Sequence, residues 1–202
     1  MSPLAHHLYT MACNNAWANH RLLTACATLS QDDFIAPRTS FFPSLKSTLN
    51  HNLMVDRFYV DCLERSLTGQ PPDLAPRNWN EPYVTCADIL TAQHAVDRRL
   101  CELCQRLTEA QLLQAIEVPR RAGIQRESTT RLLAHLFEHQ VHHRGQAHAM
   151  LAGTHVPPPQ LDEFFCANEA HLRAAELAEL GLTEEGIWAA HKTLIARNTT
   201  AP

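Results

Sequence analysis

The chain of 202 residues is 45% hydrophobic and 19% charged, enough apolar material for one domain with a core of its own. A net charge of −4, with Lys and Arg scattered rather than striped, argues against nucleic acid as a partner. No apolar run approaches the roughly 18–20 residues of a membrane span, no basic-then-apolar leader opens the sequence, and seven irregularly spaced cysteines make no disulfide framework, so a reducing cytoplasm is expected.

Hydrophobic periodicity is helical almost throughout, and only six glycines interrupt it. Helix one is predicted over 3–29, with Ser2 as its N-cap and Pro3 in the first turn. Helix two follows over 44–68 and ends before Gly69 and the breaker "GQPPDLAP". Thr85, with Asp88 three residues on, opens helix three, which runs to Leu107. The segment "IEVPRRAGIQRES" reads as an irregular or hairpin-like connection, and no stretch alternates cleanly enough for a strand. Ser128 opens helix four, which stops at Gly153 ahead of "VPPP". Two further helices are expected at 162–180 and 183–197, separated by Gly181. The fold class is therefore all-α: a four-helix bundle over 1–165 with a C-terminal helical extension over 166–202. The long connections on both sides of helix three imply crossovers, or loops that cover something.

Helix four carries five histidines in "HLFEHQVHHRGQAHAML". At about 100° per residue, Leu132, Leu136, Ala147, Met150 and Leu151 form a buried stripe. His139 and His143 fall within or beside it, one turn apart, while His135 and His142 sit at its margin and His148 lies across the helix. Two imidazoles at i, i+4 can converge on one cation, and burial keeps them neutral, the form that ligates. Two core histidines satisfied by hydrogen bonds are the competing reading. On helix two, His51 shares an apolar face with Val55, Phe58 and Cys62, which turns it inward as well. Bundles assemble metal sites from side chains on facing helices, and three His with an open fourth position suit catalysis better than a closed structural site. No inward Glu-x-x-His pair on two helices supports a di-iron centre. Cys101 and Cys104 form an isolated C-x-x-C, which could be a redox or zinc motif, but its place inside a helical pattern with no second C-x-x-C favours packing residues. His6, His7, His20, His94, His155, His171 and His191 share no usable spacing and receive no role.

Four pieces, "NNAWANHRLL", "TLNHNLMVDRFY", "HLFEHQVHHRGQAHAML" and "PPPQLDEFF", occur in this order over residues 5–165. In them the chain resembles the DinB/YfiT-like superfamily of four-helix metalloproteins. The "H-x-x-x-H-R-G-Q" run is the most specific part of the likeness. Carried over residue by residue, the resemblance places a metal triad on His51, His139 and His143, the set the helical wheel selects. It implies a homodimer holding one divalent cation, zinc or nickel, with a solvent-filled fourth position, and a small-molecule substrate. Helix one, apolar on more than one side through Leu4, Leu8, Tyr9, Met11, Trp17, Leu22 and Leu23, agrees with a dimer. The resemblance says nothing about the residues past 165.

Three functions stay open. In the first, the metal activates a low-molecular-weight thiol for transfer to a small electrophile, as an S-transferase. In the second, metal-bound water serves a hydrolase, for which no carboxylate is clearly placed as base: Glu138 leaves the apolar face and Asp56 is out of phase with His51, so both read as surface or supporting residues. In the third, the protein is a metal-binding stress protein without an activity. Arg144 and Gln146 belong to the motif and serve either a helix–helix or dimer contact or the substrate.

Overall fold

The computed structural model describes residues 1–75, 79 and 81–189. In chain order its helices are α1 (Pro3–Cys26), the short α2 (Gln31–Ile35), α3 (Leu45–Leu67), α4 (Cys86–Arg106), the short α5 (Glu109–Leu112) and α6 (Thr129–Leu151). After a 3-10 turn at Ala167–Glu169 comes α7 (Ala170–Glu179), and a helical turn follows over 184–189. The remainder of the predicted helix 183–197, with His191, lies outside the described residues.

Each long helix begins where a hydroxyl side chain takes up a backbone N–H that the first turn leaves unpaired. Ser2, Ser44, Thr85 and Ser128 accept from the amides of Ala5, Ser47, Asp88 and Arg131. The end of α3 is wrapped by the amide of Gln70, which donates to the carbonyl of Arg65 at 2.8 Å. Gly69 makes that turn at φ 70°, a conformation a side chain would strain.

Helix α1 packs against α4 and α6, and α3 packs against the same two. The four long helices thus form a ring in which α1 is diagonal to α3 and α4 is diagonal to α6. In a simple up-down bundle consecutive helices are neighbours. Of the two long connections beside α4, only 107–128 crosses the bundle end, because α3 and α4 are neighbours; the other crossover is 27–44, between α1 and α3, and α3 comes to lie beside α6. Trp17, Leu22, Leu45, Leu53, Leu63, Ile89, Leu100 and Leu133 are fully buried between them. Each such side chain contributes about 1.5–3 kcal/mol through removal from water. Cys101 and Cys104 are buried core residues of α4. No described helix is long and apolar enough to cross a membrane.

Two expectations are corrected, that no strand forms and that a helix starts at 162, while the hairpin-like alternative for the connection before α6 holds. The segment 115–128 is an antiparallel hairpin of β1 (Ala115–Arg120) and β2 (Gly123–Ser128), paired from Ala115 with Ser128 to Arg120 with Gly123. Its alternation covers only Ile116 and Val118, which are fully buried, because every side chain of β2 is at least partly exposed. The two-residue turn is closed by Gly123 at φ 123°. The helix expected over 162–180 begins only at Ala170. Arg173, buried beneath the preceding segment, donates to the carbonyls of Glu163 at 3.1 Å and Cys166 at 3.2 Å. Phe164 is fully buried against Trp17, and a continuous helix would withdraw both anchors.

The apolar residues of α1 are mostly used within the chain. Leu8, Tyr9, Trp17, Leu22 and Leu23 are buried, whereas Leu4 is exposed. On one side of α1, Trp17 Nε1 donates to Glu176 Oε2 at 2.6 Å, and Arg21 pairs with Glu176 and Glu163 at 2.7 and 2.6 Å. These contacts clamp α7 onto α1.

Candidate metal centre

The adjacency of α3 and α6 brings His51 against His139 and His143. One ligand nitrogen from each ring can be chosen so that all three lie within 4.8 Å of one another. The ring centroid of His51 is 5.1 Å from that of His139 and 4.6 Å from that of His143, and His139 and His143 are 4.4 Å apart. His143 is buried, while His51 and His139 keep a partly accessible side. Phe42, from the connection before α3, lies 4.3 Å from the His51 ring and 5.5 Å from that of His143. His135 and His142 face solvent, and His148 hydrogen-bonds the carbonyl of Pro159 at 2.9 Å.

Burial lowers the pKa of all three rings, to about 4 for His51 and about 3 for His139. The proximity of His143 lowers both further. The triad is therefore neutral and able to ligate at physiological pH. Gln146 fixes one tautomer: its Oε1 accepts from His143 Nδ1 at 2.9 Å, which leaves the lone pair on Nε2. Its Nε2 donates to His142 Nε2 at 3.1 Å, and this sets the amide orientation.

The donor set fits a divalent cation. His51 Nε2 and His139 Nε2 face each other at 3.1 Å, and Nδ1 of His139 is buried with no partner among the described residues. A tetrahedral ion with bonds of about 2.0–2.1 Å holds its nitrogens about 3.3 Å apart, close to that separation. At that distance the two neutral rings either share an N–H···N hydrogen bond, one donating and one accepting, or turn both lone pairs to a cation between them.

A model of the DinB family matches residues 1–176, most of the chain and the whole bundle. The chain belongs to the DinB family. The match continues past residue 165 into α7, beyond the four pieces that carry the likeness. No curated protein matches the chain.

In this DinB-family bundle the residue after each triad histidine is also polar and buried: Asn52, Gln140 and Arg144. One residue turns the side chain about 100°, from the triad toward the bundle axis. Asn52 Nδ2 donates to Gln140 Oε1 at 2.6 Å, joining α3 to α6. Arg144 donates to Oδ1 of Asn15 and, at 3.0 Å, of Asn19 on α1. Asn19 and Gln93 in turn donate to Asp97 on α4, at 3.1 and 3.0 Å, and Gln93 also donates to Asp56 of α3 at 2.9 Å. Burial raises the carboxyl of Asp97 to about 6 and that of Asp56 well above its ordinary value, with Asp97 adding to the latter.

One sequence reading changes here, one open alternative is decided, and one feature is added. Asp56 is neither on the surface nor in contact with the triad; it is fully buried because α3 is enclosed by α4, α6 and β1. Arg144 makes the helix–helix contact, within one chain. The polar seam is legible only in part: "NNAWAN" and "HRGQ" contain its members, but an apolar-stripe wheel places polar residues outside by construction. His20 and His94 also meet, Nδ1 to Nε2 at 3.0 Å, with Glu179 3.2 Å from the other side of His20. They come from three different helices, so no spacing announces them.

Proposed function

We propose that His51, His139 and His143 hold one divalent cation, zinc or nickel, and that the protein is a thiol-dependent transferase acting on a small electrophile. The observation that carries this reading is the convergence of three neutral imidazoles, two of whose nitrogens face each other at 3.1 Å. A cation in that position would lower the pKa of a bound thiol and present it as thiolate. The chain supplies the rest. Gln146 holds His143 in its ligating tautomer, Phe42 shields the rings of His51 and His143 from water, and the accessible sides of His51 and His139 leave an approach for the thiol.

Thiol chemistry is favoured over hydrolysis because, among the described residues, no carboxylate joins the triad. Glu138 is exposed, and Asp56 is committed to the buried seam. The decisive experiment is elemental analysis of purified protein, followed by a screen of low-molecular-weight thiols with alkylating or epoxide electrophiles. Turnover that requires both thiol and added metal is the expected result. Thiol-independent ester hydrolysis would replace this reading with the hydrolase, and protein that stays empty after zinc or nickel loading would end the metalloprotein reading. We further propose that the working form is a homodimer. Exposed Val141 and Phe165, which with Leu161 line a common groove beside α6, support it.

A further inference from the structure

Asn52 follows His51 on α3, Gln140 follows His139 on α6, and the two amides meet as the two rings do. Asn52 Nδ2 donates to Gln140 Oε1 at 2.6 Å, and His51 Nε2 stands 3.1 Å from His139 Nε2. One residue advances a helix by about 1.5 Å and turns it by about 100°. The same two helices are therefore joined twice at one level, once at the candidate metal centre and once on its inner side. Both amides lie deep in the bundle, Asn52 at 3% and Gln140 at 0% exposure.

The bridge has a fixed polarity. Gln140 Oε1 also accepts from Arg144 Nη1 at 3.3 Å, and Arg144 is itself held by Asn15 and Asn19 of α1. Turning the Gln140 amide over would set its N–H groups against that guanidinium, so the oxygen stays toward α3 and Asn52 donates. This polarity leaves Asn52 Oδ1 and Gln140 Nε2 buried with no partner among the described residues. An apolar pair of similar size would avoid that cost. Stability alone gives little reason for two amides here. Spacing gives a direct one, because a hydrogen bond holds a narrow range of distance and direction, whereas apolar contact is non-directional.

Spacing is also what the rings need. Without metal, the two neutral imidazoles share an N–H···N hydrogen bond across 3.1 Å. A tetrahedral cation holds its nitrogens about 3.3 Å apart. The two separations are nearly equal, so helices pinned at one distance serve both states, and helices that drift apart serve neither.

We propose that Asn52 and Gln140 are the positioning residues of the metal centre: their hydrogen bond sets the separation of α3 and α6 at the level of His51 and His139, and with it the affinity and coordination geometry of the cation. The assignment rests on the metal reading above, and its test separates the two.

Asn52→Leu/Gln140→Met replaces the bridge by an apolar pair of similar size. Cobalt(II) is titrated into the full wild-type and variant chains, with affinity and the visible d–d band read together, and urea unfolding is measured without metal. The variant should be no less stable than wild type. It should nevertheless bind cobalt at least roughly tenfold more weakly, with a shifted or weakened band. Gln140→Glu keeps an acceptor for both Asn52 and Arg144 and should retain most of the affinity. Leu63→Ala, a core truncation on the same helix, is the converse control: it should lower stability and leave affinity and band unchanged. If the double variant does not fold, Asn52→Ala decides by the same two cobalt readings. Wild-type affinity and band in the bridge variant overturn the proposal, and so does an equal loss in Leu63→Ala, since any loosening of the core would then suffice. If wild type takes up no cobalt, it is the metal reading that fails. The positioning role is then read from the nuclear Overhauser contact between the ring protons of His51 and His139 in the metal-free chain. That contact should be present in wild type and lost in the bridge variant, and its survival there overturns the proposal.

Discussion

His142 and His143 are neighbours in the chain and about 100° apart on α6, and that rotation separates a solvent-facing ring from a candidate ligand. The same contrast supplies internal controls. His51→Ala, His139→Ala and His143→Ala should each strip the metal, measured by elemental analysis after dialysis, because two imidazoles hold a cation far less firmly than three. His148→Ala, whose ring is engaged with Pro159, should retain it. A variant series in which His142→Ala empties the protein and His51→Ala does not would reassign the centre. The triad also fixes a pH dependence. In the folded metal-free chain His51 and His139 titrate at about 4 and about 3, below their ordinary 6.5. Between those values the unfolded chain binds more protons, so stability rises with pH there. The contribution of the neutral triad is complete above about 6.5 and is lost as the pH falls toward 4. Denaturant titrations of metal-free protein at pH 7.5 and 5 should show the loss, and replacing His51 and His139 together by Gln should reduce it.

Among elements, the buried seam decides how the four long helices are rotated. Asn15 and Asn19 on α1, Asp56 on α3, Asp97 on α4 and Arg144 on α6 are each at most 6% exposed, and turning any helix would leave one of them unpaired. Arg144 is the cation that faces both carboxyl groups. Arg144→Met should cost about 3–5 kcal/mol near pH 7.5, because it leaves buried carboxylates without their counter-charge. The sign of the pH effect is the reverse of the triad's. Asp97 and Asp56 have raised folded-state values, so the folded chain binds more protons and stability falls as the pH rises from 3.8 through about 6. In Arg144→Met the loss should therefore be larger at pH 7.5 than at pH 5, measured by urea unfolding. An equal loss at both would mean that the seam acts through packing alone. Of these elements the helices are legible from caps and periodicity, with ends within a few residues. The seam is not, since a buried polar residue is recognisable only once its partners on other helices are known.

At the scale of the whole molecule, α1 spends its apolar residues on α4, α6 and α7, so the surplus that points to a partner surface is smaller than its sequence implies. What remains exposed near α6 is Val141 and Phe165, at 52% and 47%. If these form the proposed dimer contact, light scattering should give twice the 22.7 kDa of one chain at micromolar concentration. Val141→Glu should return it to one chain without loss of helical circular dichroism. A wild-type monomer at that concentration would remove the dimer.

The sequence by itself determined the helices, through hydroxyl caps, Gly69 and the 3.6-residue period, and it determined which face of α6 carries His139 and His143. It also turned His51 inward. What it could not determine is that these faces meet, because in a bundle with short turns α3 and α6 would stand on opposite corners. The crossover connections at 27–44 and 107–128 put them side by side, and they do so because the core pairings of α1 with α4 and α3 with α6 outweigh the preference for neighbours in sequence. Which histidines face inward is a property of local periodicity; the distance between histidines on different helices is a property of topology, and only the folded chain sets it.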